Sequence, residues 1–362
     1  MVNFLTRFIN NLFNTQPTSS NNIFINNKKN QPISSISSIS SILPILPIEI
    51  MQKIFKYSDK KSLFSCIFVN KYWYNCIVPI LWENPFKLEP IEYPYLKYFP
   101  PVLRNFTHNK NRFMIIEIYL SCLNEDDELY IHKRKPLLNY PIYLKQLDYD
   151  DLENLVSLYL ANFPDKDNKE REVQSVTKTL FKLILQKSRN LRILTIQNRR
   201  NMKHEFPNLK DFSNQQPGLF NLIKIKIEIN DDHISILNIK YLLKLISLNC
   251  NQIHYLDINL KKLNDDNDSY IEIINYISDI IKSQNYLMEF SISFVKLYFD
   301  QIMFALLFQK SSLISIRLYN IIFNENSNNL LKEFNHIKDL SLIHCDGVDN
   351  NNLEIKSIFN DR

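Results

Sequence analysis

Glycine is nearly missing from this sequence: Gly218 and Gly347 are the only two among 362 residues. Loops that wrap around phosphate groups need glycine for close backbone approach, and many tight hairpin turns need it for a positive φ. The shortage therefore disfavours glycine-rich phosphate loops and folds that are built from many tight hairpins.

Paired cysteines are also missing. The five cysteines are odd in number, widely spaced, mostly set in apolar runs and never arranged as C-x-x-C: Cys66, Cys76, Cys122, Cys250 and Cys345. This pattern is typical of reduced thiols that are buried as small apolar side chains. It predicts a protein of the cytoplasm, the nucleus or both.

A long apolar run is missing as well, because no stretch approaches the roughly 20 residues that span a bilayer. We therefore expect no membrane partner. The opening residues nevertheless place six apolar side chains on one helical face, Phe4, Leu5, Phe8, Ile9, Leu12 and Phe13. Two interpretations of them stay open: a weak transit peptide or interfacial helix, or the sticky start of a disordered tail.

Charge of one sign does not dominate. The sequence has 43 basic and 38 acidic residues, which leaves a net charge of +5. A dedicated nucleic-acid-binding protein would show a clustered basic patch. We therefore expect no nucleic-acid partner.

Residue patterns for catalysis or metal binding are missing too. None of the seven histidines forms H-E-x-x-H or pairs with cysteines at zinc-finger spacing. His344 and Cys345 are neighbours, but adjacent side chains of a strand point to opposite faces. The sequence predicts a protein that is not an enzyme and that has no catalytic residue, bound metal or cofactor.

Four regions follow one another along the chain. Residues 1–41 are rich in Asn and Ser and cannot bury enough apolar surface to become ordered, so they predict a disordered tail. Residues 42–86 form an apolar module. Residues 87–150 predict a connector with one helix from about Asn111 to Leu123, and residues 151–362 are repetitive.

The apolar module opens with Leu-Pro and continues with apolar residues at helical spacing. The segment LPIEIMQKIFKYS predicts a helix that starts near Pro47, because proline suits a first helical turn. The run LFSCIFVNKYWYNCIVPILW predicts two further short helices, the last of which ends at Pro79. A unit this small buries little of its own surface, which predicts that a partner covers its exposed apolar residues.

The spaced anchors of this module resemble an F-box. They are Leu46-Pro47-x-Glu49-Ile50, Ile54-Phe55, Tyr57, Asp59, Leu63, Cys66, Val69-Asn70, Trp73 and Leu81-Trp82. Ser58 departs from the family pattern, which often has leucine before the acidic turn. The resemblance implies a three-helix domain that binds the Skp-family adaptor of a cullin–RING ubiquitin ligase. It assigns adaptor binding to Leu46, Pro47, Ile50, Ile54, Leu63, Val69 and Trp73, although Trp73 has a second interpretation as a core residue.

The repetitive region contains the motif L-x-x-L-x-L, with aliphatic variation, seven times. The copies are LVSLYL from Leu155, LRILTI from Leu191, LIKIKI from Leu222, IHYLDI from Ile253, LMEFSI from Leu287, LISIRL from Leu313 and IKDLSL from Ile337. Segments of period 2 alternate with longer segments of period 3.6, which predicts alternating strands and helices. The region resembles leucine-rich repeats, which implies a curved α/β solenoid. The expected fold class is α+β by parts, with a three-helix F-box before that solenoid.

The intervening residues of such strands point away from the core. They are polar and of mixed charge, which fits a protein substrate better than a nucleic acid. The candidates for substrate binding are Lys226, Glu228, Tyr255, Asp257, Ser291, Arg317 and Tyr319. The same faces carry Lys224, Asn259, Glu289, Ser293, Ser315, Asp339 and Ser341. We expect Arg317 and Tyr319 to contribute most, since Arg and Tyr are enriched at binding hot spots.

Together these features predict the substrate-receptor subunit of a Skp–cullin–F-box ubiquitin ligase. The F-box would bind the adaptor and, through it, the cullin, while the repeats would capture an unidentified protein substrate. An alternative stays open: a leucine-rich-repeat scaffold for protein–protein interaction that has no part in ubiquitin ligation.

Overall fold

The computed structural model describes residues 46–87, 113–124, 136, 138–162, 169–197, 206–210, 212, 215–229, 236–261, 268–334 and 336–349. The predicted disordered tail, the opening apolar residues and much of the predicted connector lie outside this part of the chain. Residues up to Ile54 and residues from Phe55 onwards belong to separate units, and each is described by itself.

Three short helices follow the Leu-Pro step: α1 (Ile48–Phe55), α2 (Lys60–Cys66) and α3 (Lys71–Leu81). Two of them begin at side-chain caps. The Asp59 carboxylate accepts a hydrogen bond from the Ser62 N–H at 2.9 Å, and the Asn70 side-chain oxygen accepts one from the Trp73 N–H at 2.8 Å. Such caps satisfy first-turn donors that have no partner within the helix.

The predicted end of the third helix at Pro79 is wrong, because α3 continues through Pro79 to Leu81. Proline has no N–H, so it removes one bond to the carbonyl four residues earlier. The next turn closes again, since the Trp82 N–H donates to the Val78 carbonyl at 3.0 Å. The helix therefore ends two residues beyond the proline.

Seven parallel strands form one sheet, and their order across the sheet is their order along the chain. They are β1 (Gln146–Asp148), β2 (Ile193–Ile196), β3 (Lys224–Glu228), β4 (Tyr255–Asn259), β5 (Glu289–Ser293), β6 (Ser315–Tyr319) and β7 (Asp339–Ile343). Equivalent positions pair directly, as Leu194, Ile225 and Leu256 do across three strands. The period-2 segments thus lie in one register.

Helices occupy most of the connections between the strands. Residues 113–120 form α4 ahead of the sheet. The others are α5 (Tyr149–Leu160), α6 (Lys169–Lys187), α7 (Ile236–Asn249), α8 (Asp268–Ser283), α9 (Phe299–Leu307) and α10 (Glu325–Lys332). Short 3₁₀ helices lie at Tyr140–Tyr143 and Pro217–Leu219. The inner strand residues and the apolar helix faces form one buried cluster.

The first of the seven predicted strands is wrong. LVSLYL, from Leu155, lies within α5, and the first strand is β1, which precedes the predicted start of the repetitive region at residue 151. The first two leucines of L-x-x-L-x-L are three residues apart, a spacing that also falls on one side of a helix, so this pattern does not by itself exclude a helix. The Asp148 carboxylate accepts from the Asp150 N–H at 3.1 Å and caps α5 at its start.

Gly218 lies where two backbones approach closely. A Cβ atom at this position would lie 2.7 Å from the Leu185 carbonyl oxygen and 2.9 Å from that of Ile184, both in α6. We expect Gly218→Ala to lower the free energy of unfolding by about 2 kcal/mol, because neither backbone atom can move without shifting its helix. Denaturant unfolding measures the change; a loss no larger than that of Asn251→Ala, at an exposed turn, would contradict the close approach.

All five cysteines are free thiols, and Cys76, Cys122 and Cys250 are buried. Burial raises the pKa of the Cys122 thiol to about 11 and raises the pKa of the Cys250 thiol further. Both therefore stay protonated at neutral pH and act as small apolar side chains.

Candidate functional site

The first helix carries a row of exposed aliphatic side chains. Leu46, Ile48, Ile50 and Ile54 are 45%, 37%, 41% and 49% exposed. The Pro47 carbonyl accepts from the Ile50 N–H at 3.0 Å, which starts the helix directly after the proline. Contiguous exposed aliphatic residues are typical of a surface that another protein covers. Leu46, Pro47, Ile50 and Ile54, which the sequence assigns to adaptor binding, are all exposed.

The second and third helices present a mixture of buried and exposed apolar residues. Val69 is 58% exposed and Phe64 is 50% exposed, whereas Leu63 is only 3% exposed. Trp73 is half-buried and its ring packs on that of Phe55, with centroids 5.1 Å apart. Leu63 is therefore buried and Trp73 partly buried, while Val69 is available to a partner.

The segment after α3 is joined to the sheet. The Glu83 carbonyl accepts from the Lys145 and Gln146 N–H groups at 2.9 and 3.1 Å, and its carboxylate forms an ion pair with the Lys145 ammonium at 2.9 Å. The Trp82 ring lies 4.3 Å from the Tyr140 ring, centroid to centroid. These contacts fix the end of α3 against the first strand, which no local pattern in the sequence predicts.

The outward face of the sheet brings the predicted substrate-binding residues into rows. One row contains Lys226, Asp257, Ser291, Arg317 and Ser341 in direct register from β3 to β7. The flanking rows contain Lys224, Tyr255, Glu289, Ser315 and Asp339 on one side, and Glu228, Asn259, Ser293 and Tyr319 on the other. These side chains are at least partly exposed except Ser315, which is 4% exposed and donates to the Asp339 carboxylate at 3.1 Å.

Much of the charge on this face is neutralised within it. Lys226 forms ion pairs with Glu228 at 3.2 Å and with Asp257 at 3.6 Å. Arg317 pairs with Glu289 at 3.1 Å. Exposed pairs of this kind contribute little to stability, but they orient the charged groups. A partner would meet paired charges rather than a field of one sign.

A row of aromatic rings lies where the last three strands end. The Tyr319 ring contacts the rings of Phe294 and His344 edge to face, with centroids 5.5 and 5.4 Å apart. Phe294, Asn320 and His344 each directly follow a strand and have φ values of 64°, 52° and 52°. Left-handed residues other than glycine cost about 1–2 kcal/mol each, and here they form one repeated turn. Reasoning from the sequence missed Phe294 and His344, although their shared position after the strands was a usable signal.

Two kinds of site do not occur in the described residues. No three His, Cys, Asp or Glu side chains come together there as metal ligands. No helix in that part of the chain has the length and the apolar content to cross a membrane. The described residues present two surfaces of different chemistry: the exposed aliphatic row of α1 and the polar outward face of the sheet.

Comparison with known proteins identifies the part of the chain that carries the aliphatic row of α1. The family model described as F-box-like matches residues 43–88. An F-box-like domain is therefore present, and it includes α1, α2 and α3. A search of curated proteins found no match to the chain.

Proposed function

We propose that this protein is the substrate-receptor subunit of a Skp–cullin–F-box ubiquitin ligase. The single observation that carries the proposal is the F-box-like domain with exposed Leu46, Ile50 and Ile54 at its start. Burial of these residues against a Skp-family adaptor would remove apolar surface from water, which favours association. The cullin would then be recruited through the adaptor.

In this proposal the parallel sheet and its helices form a leucine-rich-repeat solenoid that captures a protein substrate. The sequential strand order and the constant register support a stack of strand–helix units. Its outward face is polar, of mixed charge and edged by aromatic rings, which suits recognition of a folded protein or a peptide.

The receptor would act without catalysis of its own. It would hold the substrate near a ubiquitin-loaded conjugating enzyme and raise the effective concentration of the reacting lysine. The contacts of Glu83 with Lys145 and Gln146 support this role, because they limit motion between the end of α3 and the sheet.

Reconstitution with purified adaptor and cullin tests the proposal. We expect the full chain to bind the adaptor and to retain the cullin only when the adaptor is present. Retention of the adaptor without the cullin would support the alternative, a repeat scaffold with no part in ubiquitin ligation. Failure to bind any Skp-family adaptor would overturn the proposal.

Substitutions on the outward face test substrate capture. We expect Arg317→Ala/Tyr319→Ala to reduce the proteins retained by the full chain by about tenfold, since two hot-spot side chains are removed together. Quantitative mass spectrometry of the retained proteins measures the change. The matched control is Arg189→Ala/Tyr286→Ala, which removes the same residue types from exposed positions outside the strands. Equal retention by both variants would show that the outward face is not the capture surface.

A further inference from the structure

A cavity opens between two helices, away from the outward strand positions described above. Its volume is about 720 Å³, and α6, α7 and the segment 206–210 line it. Asn238 of α7 is buried, and its side-chain amide donates to the Phe206 carbonyl at 2.7 Å. This bond holds the segment against α7 and therefore fixes one wall of the cavity. A volume of this size suits a small ligand rather than a single ion.

The side chains that line this cavity are basic and polar. Arg171, Lys178 and Lys210 all lie in the lining, and no Asp or Glu is among the lining residues. Within the described part of the chain none of these three cations forms an ion pair. By contrast, Lys226 and Arg317 on the outward face do form ion pairs. Three like charges around one concave site attract an anion.

The backbone adds to this positive potential. Arg171 lies in the first turn of α6, and the lining residues Leu237 and Asn238 lie in the first turn of α7. The amino end of a helix carries partial positive charge. The carboxylates of Glu170 and Glu172 offset it in the first turn of α6, whereas the first turn of α7 has no acidic residue. Lys178 lies two turns after Arg171 on the same side of α6, with Gln174 and Ser175 between them. One helix face therefore presents two cations and two neutral hydrogen-bonding groups.

We propose that this cavity binds a small polyanion that carries two or more phosphate groups. The cations come from two lining segments, two from α6 and Lys210 from residues 206–210, which matches a ligand with more than one phosphate group. Asn208 and Tyr241 add neutral hydrogen-bonding groups to the lining. The assignment does not rest on the ubiquitin-ligase proposal, since it involves neither the F-box-like domain nor the outward face.

Isothermal titration of the full chain with sodium tripolyphosphate tests the assignment. We expect saturable binding that weakens as salt is added, and tighter binding than that of inorganic phosphate. The variant Arg171→Gln/Lys178→Gln/Lys210→Gln is expected to lose about tenfold or more in affinity. The matched control Lys87→Gln/Lys244→Gln/Lys338→Gln removes the same charge from exposed positions outside the cavity, and it should keep its affinity.

Several results would overturn the assignment. Absence of saturable binding to the wild type would do so, as would an equal loss in the control variant. Equal affinity for sulfate, phosphate and tripolyphosphate would indicate an adventitious ion only. Tighter binding of a doubly phosphorylated peptide would assign the cavity to a protein partner instead. If the triple variant does not fold, Arg171→Gln alone replaces it, since Arg171 is exposed. Adaptor binding is measured in parallel, so that a failure of the cavity assignment can be distinguished from a failure of the ligase proposal.

Discussion

Replacing Gln284 with leucine is expected to lower the free energy of unfolding by about 3 kcal/mol. The side chain is only 5% exposed, and its oxygen accepts from the Ile253 N–H at 2.8 Å. Its amide nitrogen donates to the Cys250 carbonyl at 3.0 Å. Leucine has a similar size but cannot form either bond. The buried Ile253 N–H then loses its partner, and the Cys250 carbonyl keeps only the longer bond from the Ser283 hydroxyl, at 3.4 Å. Each such loss costs about 1–3 kcal/mol.

Denaturant unfolding of the full chain measures this effect. The matched control is Gln301→Leu, which removes an exposed amide from α9 and should change stability by less than about 0.5 kcal/mol. Equal stability of the two variants would show that the buried amide contributes nothing to the fold.

Gln309 repeats this arrangement one unit further along the chain. Its oxygen accepts from the Leu287 N–H at 3.2 Å, and its nitrogen donates to the Gln284 carbonyl at 2.8 Å. The amide that follows each helix thus binds the segment that leads into the strand before that helix. Because the Gln309 side chain holds the backbone carbonyl of Gln284, the two sites are in direct contact, and we expect the effects of their substitutions not to be additive.

The second large effect is expected at the F-box-like domain. Ile50→Asp/Ile54→Asp should weaken adaptor binding at least about a hundredfold, because two carboxylates would have to be buried without partners in an apolar interface. Both side chains are more than one third exposed, at 41% and 49%, so the helix itself should tolerate the change. Titration of the purified adaptor against the full chain measures the loss.

The matched control places two aspartates at exposed leucines outside the F-box-like domain. Leu248 and Leu297 are 58% and 44% exposed, and Leu248→Asp/Leu297→Asp should leave adaptor affinity unchanged. Wild-type affinity in the Ile50→Asp/Ile54→Asp variant would show that α1 does not contact the adaptor.

Features that rest on local patterns could be predicted from the sequence. Asp59 and Asn70 cap helices that begin within three residues of them, so the helix starts are encoded locally. Strands β3 to β6 alternate outward-facing and apolar residues, and that period identifies the buried side chains with the exception of Ser315. The F-box-like domain was predicted for the same reason, because its anchors lie within one short segment.

Other features depended on contacts between distant segments. The motif at Leu155 was predicted to be the first strand. In the structure residues 146–148 form that strand by pairing with β2, and the motif lies in α5. Leu63 was assigned to adaptor binding from the F-box resemblance, but its side chain is buried in the structure. Arg317 could be placed on the outward face from its period, whereas its ion pair with Glu289 depends on the register of β5 with β6.

The sequence by itself therefore determined the F-box-like domain, the alternation of strands and helices, and which strand residues point outwards. The tertiary structure decided the position of the first strand, the role of the buried amides of Gln284 and Gln309, the aromatic row at Tyr319 and the basic cavity at Lys178. The physical reason is the separation along the chain between the residues that interact. A repeating pattern reports the geometry of one segment, whereas burial, ion pairing and cavities arise only when segments far apart in the chain are brought into contact.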